Sequence, residues 1–147
     1  MSKYSTNQTK FKDPETLISA LVEMGFNRED IEFHESPAQL YDYTGKATHY
    51  TDAAGDKANI VIRKGPFNRV MGSGASNDFG FRLQADGTYS AFISQYDSHF
   101  LTPAYMGKLT AAYTRTQYQK LAAKQGLRFA GYGPKKNGKT DMLFVKA

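Results

Sequence analysis

There is no cysteine among the 147 residues, and that absence removes disulfide staples, thiolate nucleophiles and sulfur-based zinc sites together. It also fits a cytoplasmic setting. Tryptophan is missing too, so ten Tyr and ten Phe supply every large flat surface. No apolar run approaches the roughly 20 residues that a membrane helix needs. The opening Met1 to Lys12 is polar, so neither a membrane association nor a secretory leader is expected. His34, His49 and His99 lack ligand spacing such as two histidines four apart on a helix, and no metal or cofactor is expected. Ser98-His99 beside Asp97 contains hydrolase residue types, but a triad is assembled in space and not from chain neighbours. With no catalytic motif, the chain reads as non-enzymatic.

The most consequential absence is of acid. From Ser98 to Thr140 there is no Asp or Glu, yet eight cations stand there: Lys108, Arg115, Lys120, Lys124, Arg128, Lys135, Lys136 and Lys139. Residues 1–56 hold ten acids and five bases, whereas residues 57–147 hold four acids and fourteen bases. A net charge of +5 is therefore a difference between two halves of opposite sign. Solvated faces usually mix both signs, so a one-signed half suggests an anionic partner. Tyr105, Tyr113, Tyr118, Phe129 and Tyr132 are threaded through the same stretch. Cations interleaved with rings suit a phosphate backbone with stacked bases, or a nucleotide.

The length suits one domain, and no linker divides it. Ser5 to Phe11 reads as a first strand. Asp13, Pro14 and Glu15 then form an N-cap, a first-turn proline and a dipole-compatible acid. Leu17, Ile18, Leu21 and Val22 share one face, and Gly25 closes the helix, which spans 14–24. Extended segments are expected at 31–33 and 39–43, followed by a long connection over 45–56. A β-branched strand covers 59–63, and 78–83 pairs with 89–96 across Asp86-Gly87. A second helix starts at Thr102-Pro103 and runs to about Gln125, with Met106, Leu109, Tyr113, Gln117 and Leu121 along one side. A closing hairpin joins 127–133 to 140–145 through Asn137-Gly138. The order β-α-β-β-β-β-α-β-β argues for an α+β fold, one antiparallel sheet with two helices packed on one face. Residues 64–77 are expected as a flexible loop insertion.

Several local words resemble a family known as hypothetical chloroplast reading frame 35, a domain of unknown function in plastid, cyanobacterial and phage genomes. They are Tyr4-Ser-Thr6 leading to Lys12 and Asp13, Ile60-Val-Ile-Arg63, Asp78-Phe-Gly-Phe81, Asp86-Gly-Thr-Tyr89, and Tyr113 to Gly126 around Tyr118. The chain departs from that pattern in its longer stretch between Lys64 and Asn77, and in having no tryptophan after Tyr89. The resemblance implies the fold and a soluble, intracellular setting, and the family's range allows a phage product, for which an accessory role fits. It implies no activity and no catalytic residues.

Three candidate anion-binding groups emerge. The first is the helix carrying Lys108, Arg115, Tyr118, Lys120 and Lys124; Lys108 and Arg115 share one strip, Lys120 and Lys124 another. The second is the closing hairpin with Arg128, Tyr132, Lys135, Lys136 and Lys139, although lysines at hairpin tips also guard against unwanted strand pairing. The third is the glycine-rich stretch with Arg63, Lys64 and Arg69, whose spacing is not that of a phosphate-binding P-loop. Nucleic acid is the first partner to expect. Sequestration of a small nucleotide is the alternative, and an acidic protein or self-association through opposed charges is the third. Glu29, Asp30, Glu32 and Glu35 form an acidic cluster suited to a basic partner, a divalent cation or plain solvation.

Overall fold

The structure, a computed structural model, describes residues 4–7, 10–135 and 137–147. Its first helix, α1 (Pro14–Glu23), begins where the capping chemistry places it, because the Asp13 carboxylate accepts from the Thr16 amide at 3.2 Å. Leu17, Ile18 and Leu21 are buried, but Val22 turns outward and Ala20 takes its place in the core. Gly25, at a φ of +113°, then redirects the chain in a backbone region that other residues seldom adopt.

Five strands form one antiparallel sheet: β1 (Tyr4–Asn7), β2 (Ile31–Gln39), β3 (Lys57–Ile62), β4 (Phe79–Leu83) and β5 (Tyr89–Ser94), in the order β1-β5-β4-β3-β2. Alternation divides the hydrophobic residues between its two faces. Ile60, Ile62, Phe79, Phe81, Tyr89, Ala91 and Ile93 pack with Leu17, Ile18 and Leu21 of α1. Leu109, Ala112 and Tyr113 of a long helix, α3 (Pro103–Lys124), join the same cluster. The fold is α+β, with helices gathered on one face of the larger sheet. On the opposite face Val61, Phe92 and Tyr4 are covered by Leu40 and Tyr50 from the long 40–56 connection.

Gly80 lies at the centre of that second face. A Cβ there would stand 2.5 Å from the Ala58 Cβ and 3.2 Å from the Ile60 carbonyl oxygen. Gly80→Ala is expected to destabilise the fold by about 1–3 kcal/mol, read as a lower urea midpoint at unchanged slope.

Three expectations are corrected. Residues 64–71 are not loop: Lys64–Met71 is a helix, α2, whose Phe67 is buried against Phe79 and Phe26 and whose Gly72 closes it in the left-handed conformation. Short length and a first turn containing Gly65-Pro66 hide it from periodicity, so tertiary packing decides. The segment 39–43 is not a separate strand. Instead β2 continues from Ile31 to Gln39 through an irregularity between Phe33 and Ala38, which absorbs Pro37. Finally, β6 (Leu127–Tyr132) and β7 (Met142–Lys146) do not join the large sheet but form a two-stranded sheet of their own beside α3. Asn137 and Gly138 in its turn both have positive φ, 49° and 76°, as a type I′ turn requires.

Candidate functional site

The cations singled out in the sequence divide into two classes once acids are placed around them. Arg63 is consumed internally. Its guanidinium donates to Glu32 through Nε at 2.9 Å and Nη2 at 3.0 Å, and through Nη1 to Asp78 and the Gln39 carbonyl, both at 2.8 Å. Asp78 is buried, and its carboxylate also accepts the Tyr41 and Lys64 amides at 2.9 and 3.0 Å. This cluster joins β2, β3, α2 and the start of β4, so it works as a structural clasp. Burial pushes the Glu32 carboxyl up, but hydrogen bonds from Arg63 and His34 more than reverse this and hold it below its usual range. Arg69 pairs with Asp30 at 3.2 Å. Two of the three cations expected to cradle phosphate in 63–77 are therefore matched to the acidic cluster, and its Glu32 and Asp30 are thereby explained.

On α3, Arg115 is likewise engaged, with Glu23 of α1 and with the Tyr132 hydroxyl at 3.2 Å. Lys120 points toward the start of α1, where its Nζ donates to the Thr16 hydroxyl at 3.1 Å and lies 3.7 Å from Asp13. Asp13, Thr16, Gln117, Lys120, Leu121 and Lys124 line an open cavity of about 210 Å³ at this junction. Thr16 and the helix amides hold the Asp13 carboxyl below its usual range by hydrogen bonds, so it stays charged at the cavity wall. The expected apolar side of α3 ends early: Gln117 is exposed and Leu121 is 49% exposed, both lining the open cavity beside the start of α1.

The second class, Lys108, Lys124, Arg128, Lys135 and Lys139, is exposed and makes no ion pair among the described residues, although Lys124 lines the same cavity as Asp13. Lys136 lies outside the described residues. Tyr118 is 49% and Tyr132 47% exposed, and Tyr132 sits edge-on to Phe129 at 5.3 Å. By contrast Phe79, Phe81, Tyr89, Phe92 and Tyr113 are buried, with Tyr113 accepting the Lys12 and Asp13 amides at 3.0 Å each. The free cations, Tyr118 and Tyr132 thus fall within α3 and the β6–β7 hairpin, beside the engaged Arg115 and Lys120, whereas the engaged Arg63 and Arg69 belong to the N-cap and body of α2.

One pairing of surface rings has no mark in the sequence. Tyr43 and Tyr96 stack at 5.8 Å with a 14° interplanar angle on the surface. Below them Asn77 accepts the Tyr43 amide at 3.0 Å, donates to Ser94 at 2.9 Å, and sends its own amide to Asp97 at 3.0 Å. Such polar staples between distant loops leave no periodic trace. Asp97 is buried, with one carboxylate oxygen unpartnered among the described residues. Burial pushes its carboxyl up to about 6 despite the Asn77 amide.

A carboxyl raised in the folded state favours folding most at acid pH and loses that contribution as pH rises from about 4 through about 6. Asp97→Asn is expected to remove this pH dependence and to stabilise the fold above pH 7. Thermal unfolding of both forms between pH 4 and 8 checks it; parallel curves would show that Asp97 carries no such penalty.

Among the described residues no group of three or more His, Cys, Asp or Glu side chains is arranged to hold a metal, and no helix is long and apolar enough to cross a membrane. Comparison with family models, curated proteins and solved structures gives no match.

Proposed function

We propose that this chain is a non-enzymatic binding protein for a nucleic-acid-like polyanion, held by the layer formed from α3 and the β6–β7 sheet. The observation that carries this reading is the division of the cations. Arg63, Arg69, Arg115 and Lys120 lie beside acids of the same chain, whereas Lys108, Lys124, Arg128, Lys135 and Lys139 are exposed and make no ion pair among the described residues. Unpaired cations repel one another, and a polyanion relieves that repulsion while releasing its own condensed counterions. Tyr118, between Lys108 and Lys124 in the helix, offers a half-exposed ring to an unstacked base. Phosphate contacts carry no sequence information of their own, so the binding is sequence-tolerant and governed by salt.

Anisotropy of a labelled single-stranded oligonucleotide tests it. Affinity should fall linearly on a log–log plot against salt, with a slope of about −3 to −4 if five cations each meet a phosphate. Binding that ignores salt, or no binding at low salt, refutes it. The small-nucleotide alternative loses its motive, because Arg63 and Arg69 are already engaged and Lys64–Met71 is helical.

A further inference from the structure

A β-sheet edge presents unpaired amides and carbonyls, and proteins usually protect such edges with bulges, prolines or inward charges. The edges described here are unequal in this respect. In β2 the edge is broken between Phe33 and Ala38, where Pro37 lies. The outer strand β1 has four residues, and the Thr51 hydroxyl covers its Tyr4 carbonyl at 3.2 Å. A register shift between Phe129 and Gly131, with Gly131 at a φ of +107°, interrupts β6. Strand β7, Met142-Leu-Phe-Val-Lys146, carries no bulge, no proline and no charge before its final residue.

The hydrogen-bond phase of β7 follows from its two ends. The Ala147 amide donates to Gly126 at 2.9 Å, and the Asp141 carbonyl accepts from Gly133 at 2.8 Å. Antiparallel alternation therefore turns the odd residues of β7 toward β6 and the backbone groups of Met142, Phe144 and Lys146 outward. Those three residues are symmetric about Phe144. The side-chain faces are unequal as well: Met142 and Phe144 are partly covered, whereas Leu143 and Val145 stand 45% and 39% exposed.

We propose that β7 pairs with β7 of a second copy, antiparallel about a two-fold axis at Phe144, giving one four-stranded sheet, β6-β7-β7-β6. The register is self-complementary. Phe144 faces its own copy as a hydrogen-bonded pair, Met142 faces Lys146, and Leu143 faces Val145, so no like charges lie opposite one another. A two-stranded sheet is marginal alone, and pairing extends it while covering Leu143 and Val145. A second copy fits because an isologous contact needs a strand complementary to itself, as this one is. The pairing needs no anion, so it stands or falls separately from polyanion binding.

Sedimentation equilibrium of the full chain in high salt, where repulsion between the basic halves is screened, tests the proposal. The expected mass rises with concentration to twice 16.4 kDa. A double variant, Leu143→Glu with Val145→Glu, places carboxylates opposite one another and should remain monomeric in moderate salt. The corresponding double Lys variant should do the same. Both positions are exposed, and circular dichroism verifies that each variant folds. Mixing the two variants should restore a dimer of one copy each, because every introduced carboxylate then faces an ammonium group. A wild-type chain that is monomeric at all concentrations overturns the proposal. So does a dimer that persists in both variants, or a mixture that fails to associate.

Discussion

Reversing Lys124, Arg128, Lys135 and Lys139 to Glu is expected to lower oligonucleotide affinity by on the order of 10²–10³-fold and to flatten the log–log salt slope by about 3. The warrant is local: these side chains are exposed and unpaired among the described residues, so little intramolecular compensation is lost. The unfolding midpoint should move little, since exposed substitutions of this kind usually stay within about 0.5 kcal/mol each. The matching control reverses Lys10, Lys12, Lys46 and Lys57, which are also exposed and carry the same total charge. If net charge alone governed binding, both variants would lose equally. A surface confined to α3 and the β6–β7 sheet predicts that the control keeps most of its affinity.

Asp78→Ala is expected to have the largest effect on stability, about 3–5 kcal/mol, because it orphans three donors at once. The Arg63 guanidinium, the Tyr41 amide and the Lys64 amide all converge on that buried carboxylate. The total stability of a domain is about 5–15 kcal/mol, so the variant should melt roughly 10 °C or more below the parent. Asp78→Asn keeps an acceptor of the same shape and should lose clearly less. Thermal unfolding followed by circular dichroism reads both. Below its melting temperature the Asp78→Ala chain should still bind oligonucleotide, since the clasp lies outside α3 and the β6–β7 sheet. Equal stability of Ala and Asn variants would show that the converging donors contribute little.

Capping chemistry and periodicity made much of this fold readable in the sequence. Asp13-Pro14 and Thr102-Pro103 start α1 and α3 as expected, because a side-chain acceptor followed by proline is a local signal that needs no tertiary context. The strands of β3, β4 and β5 were equally visible in their β-branched and aromatic alternation. What escaped depends on distant partners. Helix α2 is fixed by Phe67 entering the core and by Asp78 receiving the Lys64 amide, and neither contact has a local signature. The separate sheet of β6 and β7 reflects strand partnership, which alternation alone does not specify. For the candidate site, the sequence showed where positive charge accumulates but not which cations are already matched. Arg63 and Arg69 read as ligands until Glu32, Asp78 and Asp30 were placed beside them. Lys124, Arg128, Lys135 and Lys139 make no ion pair among the described residues, whereas Arg115 and Lys120 of the same acid-free segment meet Glu23 and Asp13 from α1 and its cap.

Amide chemical-shift mapping during titration with a single-stranded oligonucleotide tests the central claim most directly. The predicted result is a set of perturbations confined to α3 around Lys108, Tyr118 and Lys124, and to Arg128 through Lys139, all fading together as salt is raised. Perturbations centred on residues 63–77, or on the Tyr43 and Tyr96 rings, would contradict it.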